Sequence, residues 1–172
     1  MATTKEFLAE KVYLPGFMLV RNEDYEGNKG RFSFAVREPE VARGSIVHYV
    51  TPRGLHICIS QAGYCFMEEQ ARSGKLDLSI PELREYLLGG VVKIIELNQR
   101  FRREVLLDEM LQGTFILTKY RPGRLHITKF GFDFGNRAII GDLTAVIAPF
   151  PVSQTNSDLL RIKPSEPKAS EV

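Results

Sequence analysis

Apolar residues along this chain follow two periods, and the change from one to the other divides it. Gly16-Phe17-Met18-Leu19-Val20 and Arg31-Phe32-Ser33-Phe34-Ala35-Val36 predict two short strands. Residues 22–30, rich in Asn, Asp, Glu and Gly, predict a turn-rich connection between them. Residues 1–14 suit a short helix ahead of Pro15, and a further apolar run, Ser45-Ile46-Val47-His48-Tyr49-Val50, closes at Pro52 and Gly54. From Gly54 the period becomes helical. Leu55, Cys58, Ile59, Ala62, Cys65 and Phe66 recur at steps of three and four until about Gly74. Ile57 and Met67 carry apolar character round the cylinder, and Glu68, Glu69, Gln70 and Arg72 predict a solvated face only in its last turns. A helix apolar nearly all round belongs in the middle of a fold. Gly63 inside it costs about 1 kcal/mol against Ala, which predicts close packing against another backbone there.

A second helix is predicted over residues 79–88, with Ser79 as its cap, Pro81 and Glu82 in its first turn and Gly89-Gly90 at its end. Beyond it the pattern is that of strands, over residues 91–101, 112–120, 125–134 and 138–148. Short turns at Arg121-Pro122-Gly123-Arg124 and Gly135-Asn136-Arg137 join the last three into an antiparallel meander. The apolar phase slips between Leu125, Ile127 and Phe130, Phe132, Phe134, which predicts a bulge near Thr128-Lys129. The fold class that follows is α+β, one antiparallel sheet wrapped on one long helix.

Composition narrows the function classes. A chain of 172 residues with eleven Phe, six Tyr and no Trp has material for one core, predicted over residues 1–150. Residues 151–172, rich in Pro, Ser, Lys and Glu, predict a flexible tail, with Leu159-Leu160-Arg161-Ile162 as a docking patch. A net charge of +2 is too small to argue for nucleic acid as the partner. No apolar run is long enough to span a membrane, and the first residues lack a signal-peptide pattern, so a cytoplasmic protein is expected. Cys58 and Cys65, seven apart on one helix, stand roughly 10 Å apart, too far for a disulfide. His48, His56 and His126 are scattered, and neither a metal site nor a cofactor is expected.

Two stretches resemble the hotdog fold, the superfamily of acyl-thioester thioesterases and dehydratases. One is the loop and helix from Tyr49 through Thr51-Pro52-Arg53-Gly54 to Ser60-Gln61-Ala62-Gly63-Tyr64; the other runs from Asn98 to Leu111. The resemblance implies one long central helix in a wrapped sheet, assembly as a homodimer or higher homo-oligomer, and sites between subunits. The Ser60-Gln61-Ala62-Gly63 run is similar to the helix of 3-hydroxyacyl-carrier-protein dehydratases. Their helical Glu would fall on Ile57, or on His56 with a shift of one. Ile59-Ser60-Gln61-Ala62-Gly63-Tyr64 is similar to the Phe-Asn-Gln-Leu-Ala-Tyr passage of FcoT-type fatty-acyl thioesterases, whose two Asn positions would fall on Ser60 and near Thr51.

Three functions remain open: hydrolysis of an acyl-CoA or acyl-carrier-protein thioester, dehydration of a 3-hydroxyacyl thioester, and non-catalytic acyl binding. Hydrolysis needs a polarised carbonyl and an activated water. The start of the long helix, at Gly54 and Leu55, would offer N–H donors and a positive dipole end. His56, Ser60, Gln61 and Thr51 are the candidates for orienting water, with Tyr64 beside the acyl group. Arg100 and Arg102, part of a basic set with Arg103, Lys119, Arg121 and Arg124, would receive phosphates or an acidic carrier. The stripe Phe130, Phe132, Phe134 has three uses open to it: core, dimer interface or acyl tunnel.

Overall fold

The computed structural model describes residues 3–13, 19–36, 41–42, 45–46, 50–106 and 110–148. The tail, His48 and the patch at 159–162 lie outside these residues. Among the described residues there are three helices: α1 (Thr4–Lys11), α2 (Pro52–Arg72) and α3 (Ile80–Leu88). The strands are β1 (Val20–Glu26), β2 (Lys29–Phe34), β3 (Val41–Ala42), β4 (Ser45–Ile46), β5 (Val92–Phe101), β6 (Leu111–Arg121), β7 (His126–Phe134) and β8 (Ile139–Ile147). β3 and β4 form a small hairpin. The other six make one antiparallel sheet in the order β1-β2-β6-β7-β8-β5. No helix among the described residues is long and apolar enough to cross a membrane.

Local chemistry sets the helix starts. Thr3 with Glu6 and Ser79 with Glu82 form reciprocal capping boxes ahead of α1 and α3. Ser79 and Gly89 cap α3 as its sequence predicts. The sheet curls round α2, which presses Leu55, Cys58, Ile59, Ala62 and Phe66 into its concave face. Opposite them stand Phe32, Phe34, Phe115, Phe130, Phe132 and Phe134, ring against ring. The Phe66 and Phe130 centroids are 5.8 Å apart, as are those of Phe115 and Phe134. Small residues beneath make this possible: a Cβ on Gly113 would come within 2.5 Å of the Phe134 ring.

α2 lies against α1, α3, β1, β2 and β6, toward the β1 side of the sheet. β5 forms the far edge, and its concave face is half-open. Near the end of α2, Glu68 is buried, against the expectation of a solvated face. Arg84 on α3 holds its carboxylate at 3.0 and 2.7 Å, and Arg72 reaches it at 3.3 Å. The Arg84 guanidinium also covers the Phe7 ring of α1 at 4.8 Å, so one buried carboxylate gathers three helices.

Three other expectations are corrected. Residues 22–26 are strand, because Asp24 and Glu26 pair across the ladder with Arg31 at 2.9 and 2.8 Å; only Gly27-Asn28 turns. β7 alternates without a slip. Its buried face includes His126 and Thr128, each satisfied: Tyr120 meets His126 Nδ1 at 2.7 Å, and Thr128 donates to the Ala145 carbonyl at 3.2 Å. The register shift falls on β6 instead, between Leu117 and Lys119. Gly63 is not pressed against a backbone, since a Cβ there would meet nothing within 4 Å.

Candidate active site

α2 starts beside the end of β5. Val50 donates its N–H to the Val105 carbonyl at 2.7 Å, which ties the approach to α2 to the stretch after β5. Thr51 is extended and caps the helix, its hydroxyl accepting the Gly54 N–H at 3.2 Å. Pro52 in the first turn carries no N–H, and the Leu55 N–H already bonds the Thr51 carbonyl at 2.9 Å. Among the described residues, that leaves the Arg53 N–H as the first-turn donor past the cap with no acceptor. Sequence reasoning assigned the donors to Gly54 and beyond; the cap takes the Gly54 N–H away.

Beside this helix start is a cleft of about 380 Å³ lined by Val50, Pro52, Phe101, Arg102, Arg103 and Glu104. Its floor is mostly apolar. Phe101, the last residue of β5, is 41% exposed there. Arg103 is pinned, donating to the Gly135 carbonyl at 2.6 Å, and the Arg102 backbone N–H bonds the Ala138 carbonyl at 2.7 Å while its side chain stays exposed. Glu104 supplies the cleft's carboxylate. Neither Phe101 nor Glu104 was legible as a site residue. The two halves of the cleft are about fifty residues apart in sequence, and of the β5 half only Arg102 stood among the candidate site residues singled out from sequence.

The remaining candidates divide by their position round α2. At 100° per residue, His56, Ser60 and Tyr64 share one flank, with Pro52 close to it at the helix start. His56 is exposed, and Ser60 and Tyr64 are half-buried. Burial raises the Tyr64 phenol above its usual range, so it stays protonated. Gln61 sits on another side and is 0% exposed. Its Oε1 accepts the N–H groups of Leu19 and Val20 at 2.9 and 3.3 Å, anchoring the entry to β1. Leu55 is wholly buried in the core. A Cβ on Gly54 would come 3.5 Å from a Val36 methyl. Arg102 reaches the cleft, whereas Arg100 lines a separate hollow of about 570 Å³ with Asp133 and Asp142. Cys58 and Cys65 are buried free thiols, and burial raises the pKa of each. No group of three or more His, Cys, Asp or Glu side chains among the described residues is placed to hold a metal ion.

An antiparallel sheet in this strand order, curled round one long helix, defines the hotdog fold, and solved structures agree. A Shewanella oneidensis protein, assigned to the thioesterases in name, superposes with a TM-score of 0.59 at 9% identity, covering 85% of this chain and 95% of its own. A Syntrophus aciditrophicus protein, also assigned to the thioesterases in name, does so at 0.53 and 9%, covering 84% and 95%. By sequence alone, the chain matches no family profile and no curated protein. At such identities the likeness establishes the fold, and the chemistry rests on the residues.

Proposed function

We propose that the protein hydrolyses an acyl-CoA or acyl-carrier-protein thioester at the start of α2. The observation that carries this is the Arg53 N–H, unclaimed at the positive end of a 21-residue helix and beside a mostly apolar cleft. The substrate carbonyl oxygen takes that N–H as its charge builds. Glu104 accepts a proton from water, the water oxygen attacks the carbonyl carbon, and the C–S bond breaks as Glu104 returns that proton to the departing sulfur, releasing the thiol and the acid. Thr51 holds the helix start in shape, His56 and Ser60 order water one to two turns along, and Arg102 receives the phosphate end of the carrier. Gln61 acts through structure, as the anchor of β1.

A homodimer formed along β5 fits this function. Among the described residues β5 presents a free edge, Ile95 at its bulge is 63% exposed, and Phe101 ends the same strand. Scattering should return twice the chain mass, and Ile95→Lys should lower it; a monomer at micromolar concentration would remove the dimer.

The test of function is release of free thiol from a panel of acyl-CoA and acyl-carrier-protein thioesters. Glu104→Gln should cut kcat by about 10²–10⁴-fold with the thermal midpoint unchanged. Absence of thiol release across the panel would end the hydrolase proposal. Hydration or dehydration of an enoyl or 3-hydroxyacyl thioester without free thiol would replace it with the dehydratase.

A further inference from the structure

We infer that the acyl group taken by this site is short, up to about six carbons or a single ring, and that Phe101 sets the limit; this rests on the thioesterase proposal. The helix–sheet interior, one of the three uses open to the aromatic stripe, is filled. Phe115, Phe130 and Phe134 have no exposed surface, Phe132 is 5% exposed, and their rings pack against one another at 5.5–6.5 Å along with those of Phe34 and Phe66. A chain entering from the start of α2 would have to part Leu55, Cys58 and Ile59, all fully enclosed. Interiors packed to crystal density do not yield to extra methylenes without strain. Among the described residues, the acyl group is therefore left the outer cleft of about 380 Å³ beside the start of α2, near the small end of the roughly 300–1,000 Å³ of small-molecule sites. If a methylene takes about the ~30 Å³ share of a water, six fill roughly half of it, and the thioester and the head of its carrier need the rest.

Phe101 pairs with Ile139 at the end of β5 and presents its ring to the cleft rather than to the core. Truncating it lengthens the cleft without opening the interior.

The experiment is a chain-length series of butanoyl-, hexanoyl-, benzoyl-, dodecanoyl- and hexadecanoyl-CoA, read as kcat/KM for thiol release. The short and aromatic members should exceed dodecanoyl-CoA by about tenfold or more, and Phe101→Ala should narrow that ratio. Equal or faster turnover of the dodecanoyl and hexadecanoyl substrates overturns the inference, as does an unchanged ratio in Phe101→Ala. Calorimetry with S-hexyl- and S-dodecyl-CoA, thioethers that are not hydrolysed, separates this from the parent proposal. Tighter binding of S-hexyl-CoA without turnover of any thioester upholds the size limit and removes hydrolysis. Tighter binding of S-dodecyl-CoA removes the limit, and binding of neither, with no turnover, removes both.

Discussion

Replacing Gln61 with Leu tests whether this residue serves the chemistry or the fold. The side chain is fully enclosed, and its Oε1 is the acceptor for two backbone N–H groups, those of Leu19 and Val20, themselves buried. Leu is of similar size but accepts nothing, so both N–H groups lose their partner away from water. Each such loss costs about 1–3 kcal/mol. The 3.3 Å bond is the weaker of the two, so the total comes to about 2–5 kcal/mol. For a chain of this size, about 2–4 °C accompanies each kcal/mol, which gives a fall of roughly 4–20 °C in thermal midpoint. Gln61→Glu keeps an acceptor oxygen for these N–H groups but buries a charge, so it should also lose stability at neutral pH and recover part of it in acid, where the carboxyl is neutral. The assay is urea and thermal unfolding by circular dichroism, alongside thiol release at a temperature where both proteins are folded. The anchor role requires a large fall in stability with kcat per folded molecule within a few-fold. A variant with the native midpoint and kcat down a hundredfold would refute the reasoning and return Gln61 to the reacting atoms.

Other consequences follow from single contacts. Arg84→Met leaves the Glu68 carboxylate, only 3% exposed, with Arg72 alone at 3.3 Å, and should cost up to about 3 kcal/mol; the double variant Glu68→Leu/Arg84→Met should recover much of this in urea titration. Gly63→Ala should stabilise by about 0.5–1 kcal/mol, since its methyl enters open space on a helix. Gly141→Ala should instead lose well over 1 kcal/mol, because its Cβ would overlap the Asn98 carbonyl and the Phe132 ring; comparing the two thermal midpoints checks the pair. Burial raises the pKa of both thiols, so the folded chain keeps protons that the unfolded chain releases above about pH 8.5. Their contribution to stability is present below that pH and is lost progressively as pH rises above it toward the raised folded-state values, which an alkaline series of unfolding curves measures. Iodoacetamide should label Cys58 and Cys65 only after denaturant.

Much of the fold was legible because its signals are local. The three- and four-residue steps from Leu55 to Phe66, the Ser79 cap and the meander turns need only their neighbours in sequence. β1 was missed because Asn22, Glu23 and Asp24 have poor strand propensity, and what makes them a strand is the ladder to β2, with Arg31 across from the acids. β7 was misphased for a related reason. Pattern reading follows apolar side chains, whereas a buried His126 or Thr128 is paid for by a partner on another strand, Tyr120 or Ala145.

The candidate site was legible in part: Arg102 on the β5 side was named as a candidate from sequence, whereas Phe101 and Glu104 were not. A long apolar helix with a polar first turn pointed to the start of α2, but one of its polar candidates, Gln61, faces β1. The rest comes from β5, which follows α2 and α3 in sequence yet lands at the far edge of the sheet, beside β8. That displacement brings Phe101 to Glu104 against Val50 and Pro52, and the Val50–Val105 bond fixes it. The same topology explains why the abundant aromatic residues do not amount to a greasy tunnel. With α2 over the β1 side, its apolar face and the Phe stripe fill each other, and the cleft left among the described residues falls outside them, between the helix start and the end of β5. A site built there is limited in size by the edge residues of β5 and not by the core, so selectivity can change by substitution at Phe101 without any loss of the packing that holds the fold.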